Sequence, residues 1–204
     1  FKDSPVQLET VKVTTFDDKE YETKTLTSER AMIYKSGAIH FIGEVEIKTV
    51  SGISHEVDTE LLVVEGNQIN SNRDVFYLGE KAKINSQGLD MDTSSDTMNL
   101  NGNVEIIQDN GAIIDTNNLY VSHYFGEKKY SSKEKTIYRS NQNIVTADKG
   151  VDINMISDNI KLFGDVNVVN GFGSTLTSSN LIIDQSNSGE IYKSNSLSHF
   201  QSNT

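Results

Sequence analysis

The chain has 204 residues and a formal net charge of −11, with 35% hydrophobic residues and no cysteine. These values exclude disulfides, thiolate metal sites and cysteine nucleophiles, and the negative charge opposes the counterion release that drives nucleic-acid binding, so we expect no nucleic-acid partner. Valine and isoleucine together number 35 and alanine and leucine 17, which predicts an all-β protein because β-branched side chains lose less freedom in strands than in helices.

Three predicted segments resemble one another along the chain. They begin at Ala38, Thr97 and Asn159, and each contains a strand that reads apolar, any residue, apolar, any residue, glycine, acid or amide, valine. The glycines at this point are 59 and 62 residues apart, and they are Gly43, Gly102 and Gly164. A constant period of this kind indicates tandem repeats of about 60 residues.

The leading strand of each segment alternates apolar and polar residues, which sends successive side chains to opposite faces of a sheet. Such alternation is typical of antiparallel sheets with one dry face. The glycine within the dry face predicts a bend where the sheet curls, or a shallow trough along the interior, and both can hold together. The apolar positions of the leading strands are Ile39, Phe41, Val45 and Ile47; Met98, Leu100, Val104 and Ile106; and Ile160, Leu162, Val166 and Val168.

Two facing antiparallel sheets, extended along an axis by repetition, would bury these apolar positions. We therefore predict a single continuous domain over residues 1–204. A parallel β-helix is the competing solenoid, but its coils of about 20 residues would impose a shorter period than the one present.

The repeat segments also resemble a known family. The stretch LNGNVEIIQDNGAIIDTNNLYV, from Leu100 to Val121, is similar to the repeat unit of the periplasmic lipopolysaccharide-transport proteins of the OstA-like group. The first 90 or so residues are more similar to its inner-membrane-anchored C type, the LptC type, through PVQLETVKVTTF, LTSERAMIYKSG and INSNRDVFYLGEKAKINSQGLDMD. The part after Asp92 is more similar to the soluble bridging A type, the LptA type, so the C type is favoured and the A type comes second.

This resemblance implies a twisted, open β-jelly roll that receives lipopolysaccharide acyl chains in an apolar groove and passes them across the periplasm towards the outer membrane. It implies a conduit with no catalytic residues and no cofactor. Expected partners are lipopolysaccharide, other jelly-roll transport proteins that stack on edge strands, and an inner-membrane transporter complex. Expected localisation is the periplasm, with a tether to the inner membrane through an N-terminal anchor outside this chain.

The predicted groove lining combines the apolar positions of the leading strands with those of the strands that follow them. A dry channel suits acyl chains, because removing each methylene from water contributes about 0.8 kcal/mol. The predicted lining residues are Ile39, Phe41, Val45, Ile47, Leu61, Val63, Leu100, Val104, Ile106, Leu119, Val121, Leu162, Val166, Val168, Leu181 and Ile183.

Enzymatic and metal sites find little support in the sequence, so we expect neither. The four histidines, His40, His55, His123 and His199, lack the spacing of metal ligands. The acidic stretch from Asp90 to Asp96 lacks the glycine and terminal glutamate of a calcium loop. The alternative to a conduit is a structural β-solenoid or adhesin segment whose interior is packed solid and binds no ligand.

Overall fold

The structure, a computed structural model, describes residues 4–16, 22–49, 55–79, 81–95, 97–122, 129–186 and 189–203. These residues form 18 antiparallel strands and no helix, which confirms the all-β prediction and agrees with a β-jelly roll. The chain divides into two compact units, Phe1–Asn101 and Gly102–Thr204. The boundary between them falls inside a strand and not in a linker.

The first unit consists of four long strands followed by shorter ones. The long strands pair in sequence order, each antiparallel to the next. The strands are β1 (Val6–Phe16), β2 (Glu22–Ile33), β3 (Ile39–Thr49), β4 (Glu56–Glu65), β5 (Gln68–Ser71), β6 (Val75–Leu78), β7 (Ala82–Ser86), β8 (Gly88–Asp92) and β9 (Thr97–Gln108), which continues into the second unit.

The second unit contains the rest of β9, the long strand β10 and a hairpin of two further long strands, β15 and β16, and its other strands are short. Strand β15 pairs with β14 through its first half and with β13 through its second half. The strands are β10 (Ile113–Ser122), β11 (Lys129–Ser132), β12 (Thr136–Arg139), β13 (Asn143–Ala147), β14 (Val151–Asn154), β15 (Asn159–Asn170), β16 (Thr175–Asp184), β17 (Ile191–Lys193) and β18 (Ser198–Gln201).

The three glycines within the leading strands share one backbone conformation, and two of them mark bends, as the sequence predicted. Gly43, Gly102 and Gly164 have φ values of 78°, 73° and 82°, a left-handed conformation that glycine adopts without steric cost. The register of β3 against β4 shifts after Ile42, and that of β15 against β16 shifts after Phe163. Each shift is a β-bulge, which bends the strand and increases its local twist.

The strand that follows each leading strand pairs with two different strands, one along each half. In β4, Glu56–Thr59 pairs with β6 and Val63–Glu65 with β5. Strand β10 divides in the same way between β12 and β11, and β16 divides between β18 and β17. The two halves of one strand therefore belong to two layers that separate at its middle.

A hydroxyl pair occupies each point of separation. In the first unit the Oγ1 of Thr59 lies 3.0 Å from the Oγ of Ser71, which accepts the backbone N–H of Arg73 at 3.1 Å. Both side chains are buried, at 8% and 6% exposure. The pair satisfies polar groups that burial would otherwise leave without hydrogen bonds.

The same arrangement occurs twice in the second unit. Thr116 donates to Ser132 at 2.9 Å, and Ser178 and Ser194 lie 2.7 Å apart. The Oγ of Ser132 accepts the N–H of Glu134, and that of Ser194 accepts the N–H of Ser196, each at 3.1 Å. One local structure thus holds all three divided strands.

The divided strands require close backbone approach at Gly150, whose φ is 105°. A Cβ there would lie 2.0 Å from the carbonyl oxygen of Ser132 and 2.8 Å from the Cα of Lys133. Both are backbone atoms, so a side chain would have to displace strand β11. At Gly111, where φ is 84°, a Cβ would meet no atom within 4 Å.

We predict that Gly150→Ala destabilises the protein by about 3 kcal/mol, through left-handed strain plus the clash with β11. Gly111→Ala, the matched control, carries the strain alone and should cost about 1 kcal/mol. Urea unfolding followed by far-UV circular dichroism measures both values. Equal costs for the two substitutions would contradict the packing described for Gly150.

Candidate lipid-binding face

One row of side chains in the first unit crosses six strands on the face that carries the core. Strand registers pair each member with the next, which places them all on the same side. Exposure is 43% at Val13 and falls to 4% at Val57 and 0% at Ile84. We name this set the N-terminal row: Val13, Leu26, Ile47, Val57, Tyr77 and Ile84.

Two neighbouring residues of β1 belong to the same face. Leu8 pairs with the buried Ala31, which pairs with Phe41, and Val6 pairs with Ile33. Leu8 is 43% exposed and Val6 59% exposed. Among the described residues β1 pairs with β2 alone, so its apolar side chains form the accessible margin of a face that is otherwise buried.

The second unit has a similar row, in which the exposed end lies towards the C-terminus of the chain and the buried end towards its middle. Registers again link its members across six strands. Exposure is 0% at Tyr138 and Val145, 7% at Val168 and 69% at Phe200. We name this set the C-terminal row: Ile114, Tyr138, Val145, Val168, Leu176 and Phe200.

Most of the predicted lining residues lie in the core of their units. Twelve of the sixteen have 7% exposure or less, and their side chains are packed against protein atoms. These twelve are Phe41, Val45, Leu100, Val104, Ile106, Leu119, Val121, Leu162, Val166, Val168, Leu181 and Ile183. The other four, Ile39, Ile47, Leu61 and Val63, are half-buried.

The structure separates Leu61 and Val63 from the rest of the predicted lining. They pair with Ile42 and His40, so they face away from Phe41, which pairs with Leu62. The run Leu61–Val64 is apolar at every position, and period-two alternation therefore could not show which members face the core. Leu62 and Val64 occupy the face that the sequence assigned to Leu61 and Val63.

The accessible members of the apolar face were not among the predicted lining residues. Val6 and Leu8 alternate with polar residues in PVQLETVKV, so period two could have placed them on a dry face. Val13 follows Leu8 by five positions and is out of phase with it, because the left-handed Thr10, with φ 53°, interrupts the alternation. Phe200 lies in a short polar segment with no periodicity, and only its pairing with Leu176 assigns it to the core face.

The opposite face of β3 and β4 carries a cluster of charged groups. Oxygen atoms of Glu46, Glu56 and Asp58 lie within 4.8 Å of one another, which is close enough to hold a cation. The Nζ of Lys48, however, lies 2.5 Å from Glu46 and 3.5 Å from Glu56. The cluster therefore already contains its own counter-charge.

This cluster changes the pKa values of two of its members. Burial, followed by the charges of Glu56 and Glu46, raises the pKa of Asp58, and Lys48 opposes the shift. The hydrogen bond to Glu46 is the largest influence on Lys48 and raises its pKa. A carboxyl group with a raised pKa is destabilising when ionised, because the folded chain binds its proton more tightly than the unfolded chain does.

Two acidic residues of the stretch considered for calcium accept hydrogen bonds from nearby residues of the chain. The Oδ1 of Asp92 accepts the N–H of Ser94 at 2.8 Å and its hydroxyl at 2.5 Å, and these bonds lower the pKa of Asp92. Asp90 accepts the amide of Asn101 at 2.7 Å. Asp96, like His123, lies outside the described residues.

We predict that Asp58→Asn stabilises the protein slightly at pH 7, raising Tm by about 1 to 2 °C, because solvent screens this partly exposed group. The gain should shrink as the pH falls through the raised pKa of Asp58, since the wild-type carboxyl then takes up its proton. Thermal unfolding at pH 7 and at about pH 4 measures this dependence. Glu60→Gln, an exposed neighbour, is the control, and a gain that grows at low pH would contradict the assignment.

None of the described residues belongs to a helix of the length and apolarity needed to cross a membrane.

A family model described as lipopolysaccharide-assembly, LptC-related, matches residues 1–109, more than half of the chain. The comparison with curated proteins finds no match. The matched residues include all of β1 to β9, so the N-terminal row and the exposed Val6 and Leu8 of β1 lie within the matched region. The chain therefore belongs to the LptC-related family of lipopolysaccharide-assembly proteins, which confirms the C type expected from its first 90 or so residues.

Proposed function

We propose that the chain binds the acyl chains of lipopolysaccharide at the accessible margins of its apolar face and passes them towards the outer membrane. The supporting observation is the gradient of exposure: in each unit the core face continues, strand by strand, onto exposed apolar side chains of a terminal strand. Each methylene of an acyl chain laid on such a face leaves water with a gain of about 0.8 kcal/mol.

In this proposal the margin residues contact lipid first and the predicted lining residues act mainly as support. The buried leucines and valines keep the strands at a fixed spacing, and Val6, Leu8, Val13 and Phe200 offer the apolar area that water reaches. A ligand held on a partly open face can leave it again, which suits a protein that transfers its cargo.

The remaining expectations are part of the same proposal. Strands β1 and β18 each pair along one side among the described residues, and an unpaired edge can add a strand from another chain. We propose that these edges stack with other jelly-roll transport proteins and with an inner-membrane transporter complex. The proposed site of action is the periplasm, with a tether to the inner membrane, and the proposed chemistry is non-enzymatic.

We also propose that residues 1–204 form a single domain built from tandem repeats. The recurring hydroxyl pairs and divided strands support the repeats, and the position of the unit boundary within β9 supports the single domain. Native-state hydrogen exchange should then give the same maximal opening free energy, within about 1 kcal/mol, for amides of both units. Separate values for the two units would contradict the single domain.

A lipid-capture experiment tests the conduit. We predict that Leu8→Asp and Phe200→Asp reduce the lipopolysaccharide that co-purifies from a Gram-negative host by about tenfold or more, because a charge beside the acyl chain must be desolvated. Both side chains are exposed, so the fold should survive. Mass spectrometry of the extracted lipid provides the measurement.

Ile144→Asp is the matched control. Ile144 is 49% exposed, similar to Leu8, but it pairs with Val169 on the face opposite the C-terminal row. Lipid capture should be unchanged in this variant. Equal loss in all three variants, or none in any, would contradict the assignment of the margins.

The second candidate function is a structural segment with a solid core. Its support is the burial of twelve predicted lining residues, which fill the interior of their units with protein side chains. Absence of lipid from the wild-type protein and from every variant in the same experiment would favour this candidate.

A further inference from the structure

The second unit contains a polar cavity that the apolar rows do not use. Its volume is about 480 Å³, within the usual range for small-molecule sites. Turns and strand ends of the second unit line it, and Glu190 is the one charged side chain among the described lining residues. The lining includes Asn110, Ser140, Asn141, Gln142, Asn143 and Glu190.

Glu190 holds one wall of this cavity in a fixed arrangement. One carboxylate oxygen accepts the hydroxyl of Ser140 at 3.0 Å, the hydroxyl of Tyr192 at 2.5 Å and the amide of Asn143 at 3.5 Å. The other accepts the hydroxyl of Tyr138. The carboxylate is thus surrounded by donors from its own chain, so it does not need a cationic ligand.

The two phenols in this network remain protonated donors. Burial, with the hydrogen bond to Glu190 second, raises the pKa of Tyr138 and that of Tyr192 above the ordinary value. Gln185, which also lines the cavity, donates to the hydroxyl of Tyr138 at 2.9 Å and to Gln108 at 3.3 Å, which extends the network. A wall with fixed donors and acceptors can bind a polar ligand without the entropic cost of ordering its side chains.

The accessible rim of the cavity consists of amides. Asn110, Asn141 and Gln142 are exposed. The nitrogen of a planar amide donates two hydrogen bonds and its oxygen accepts them. One amide can therefore donate to one hydroxyl of a ligand and accept a hydrogen bond from a neighbouring hydroxyl. Neighbouring hydroxyls on a sugar ring present this combination.

A turn that carries an exposed aromatic residue is hydrogen-bonded to the rim. Phe172 is 85% exposed, and the adjacent Gly171 donates its N–H to the carbonyl of Gln142 at 2.7 Å. The Oδ1 of Asn170 accepts the N–H groups of Phe172 and Ser174 at 3.0 and 2.9 Å, which fixes the turn that presents the ring. An aromatic face can pack against the apolar C–H side of a sugar ring.

We propose that this amide pocket, formed by Asn110, Ser140, Asn141, Gln142 and Glu190 with Phe172 beside it, binds a neutral saccharide. The rim amides bond its hydroxyls, the Glu190 network keeps the wall in place, and Phe172 covers the apolar side of one ring. None of these six residues belongs to the margins or to the two rows, although Tyr138 of the C-terminal row donates its hydroxyl to Glu190. The saccharide can be a free glycan or the sugar portion of a glycolipid.

Saturation-transfer difference NMR on the full chain tests this site. Maltotriose and lactose represent free glycans, and digalactosylglycerol, the delipidated head group of a neutral glycolipid, represents the glycolipid source. We expect saturation transfer to at least one probe, and the probe with the strongest transfer identifies the source. Absence of transfer to all three would overturn the proposal.

Variants separate the pocket from general surface contact. The double variant Asn141→Leu, Gln142→Leu should weaken binding of the responding probe about tenfold or more, and Phe172→Ala should weaken it about threefold to tenfold. Asn195→Leu, an exposed amide in the turn between β17 and β18, is the control and should bind as the wild type does. Equal binding by the control and the double variant would overturn the assignment to this pocket.

Discussion

The architecture of both units depends on one constraint: a long strand must change layers at its middle without leaving buried polar groups unsatisfied. The bulge at Gly43 or Gly164 supplies the bend, because a left-handed residue inserts one extra position on one strand. In a hydroxyl pair such as Thr59 with Ser71, a side-chain oxygen then accepts a backbone N–H that the interrupted strand pairing leaves without a partner. Both parts are needed, since a bend alone would expose backbone groups to the core.

The layers that result from this division create an apolar face that is closed in the middle and open at one margin. At Ile84 and Tyr138 the face is filled by protein, and at Val13 and Phe200 it meets solvent. The same face therefore contributes stability where it is packed and offers apolar area where it is not. Packed and accessible apolar side chains therefore lie on one continuous face.

The polar cavity near Glu190 depends on hydrogen bonds and not on apolar packing. Its hydrogen bonds are made within the chain, and each donor around the carboxylate comes from a neighbouring strand or turn. The pKa values of Tyr138 and Tyr192 are raised because the phenolate forms would be buried beside a negative charge. Tyr138 belongs to this network and to the C-terminal row, so its ring packs in the core while its hydroxyl reaches the polar wall.

Much of the fold could be predicted because alternation and glycine spacing are local signals. The excess of β-branched residues predicted strands, and Gly43 and Gly164 predicted the bends. The lining was harder to assign. The run from Leu61 to Val64 is apolar throughout, and its orientation is fixed by the pairing of Leu61 with Ile42 and of Leu62 with Phe41, which no pattern within the run contains.

Exposure along the apolar face also lay beyond local patterns. Val104 and Val13 both occupy alternating strands, yet one is 2% exposed and the other 43%. The difference comes from how many strands lie beside each one. The amino-acid sequence by itself determined the all-β class, the periodic bends and the family resemblance, because each depends on the identity and order of neighbouring residues. Only the tertiary structure decided which apolar side chains are core and which meet solvent, and which amides gather around Glu190, because both depend on pairing between distant segments.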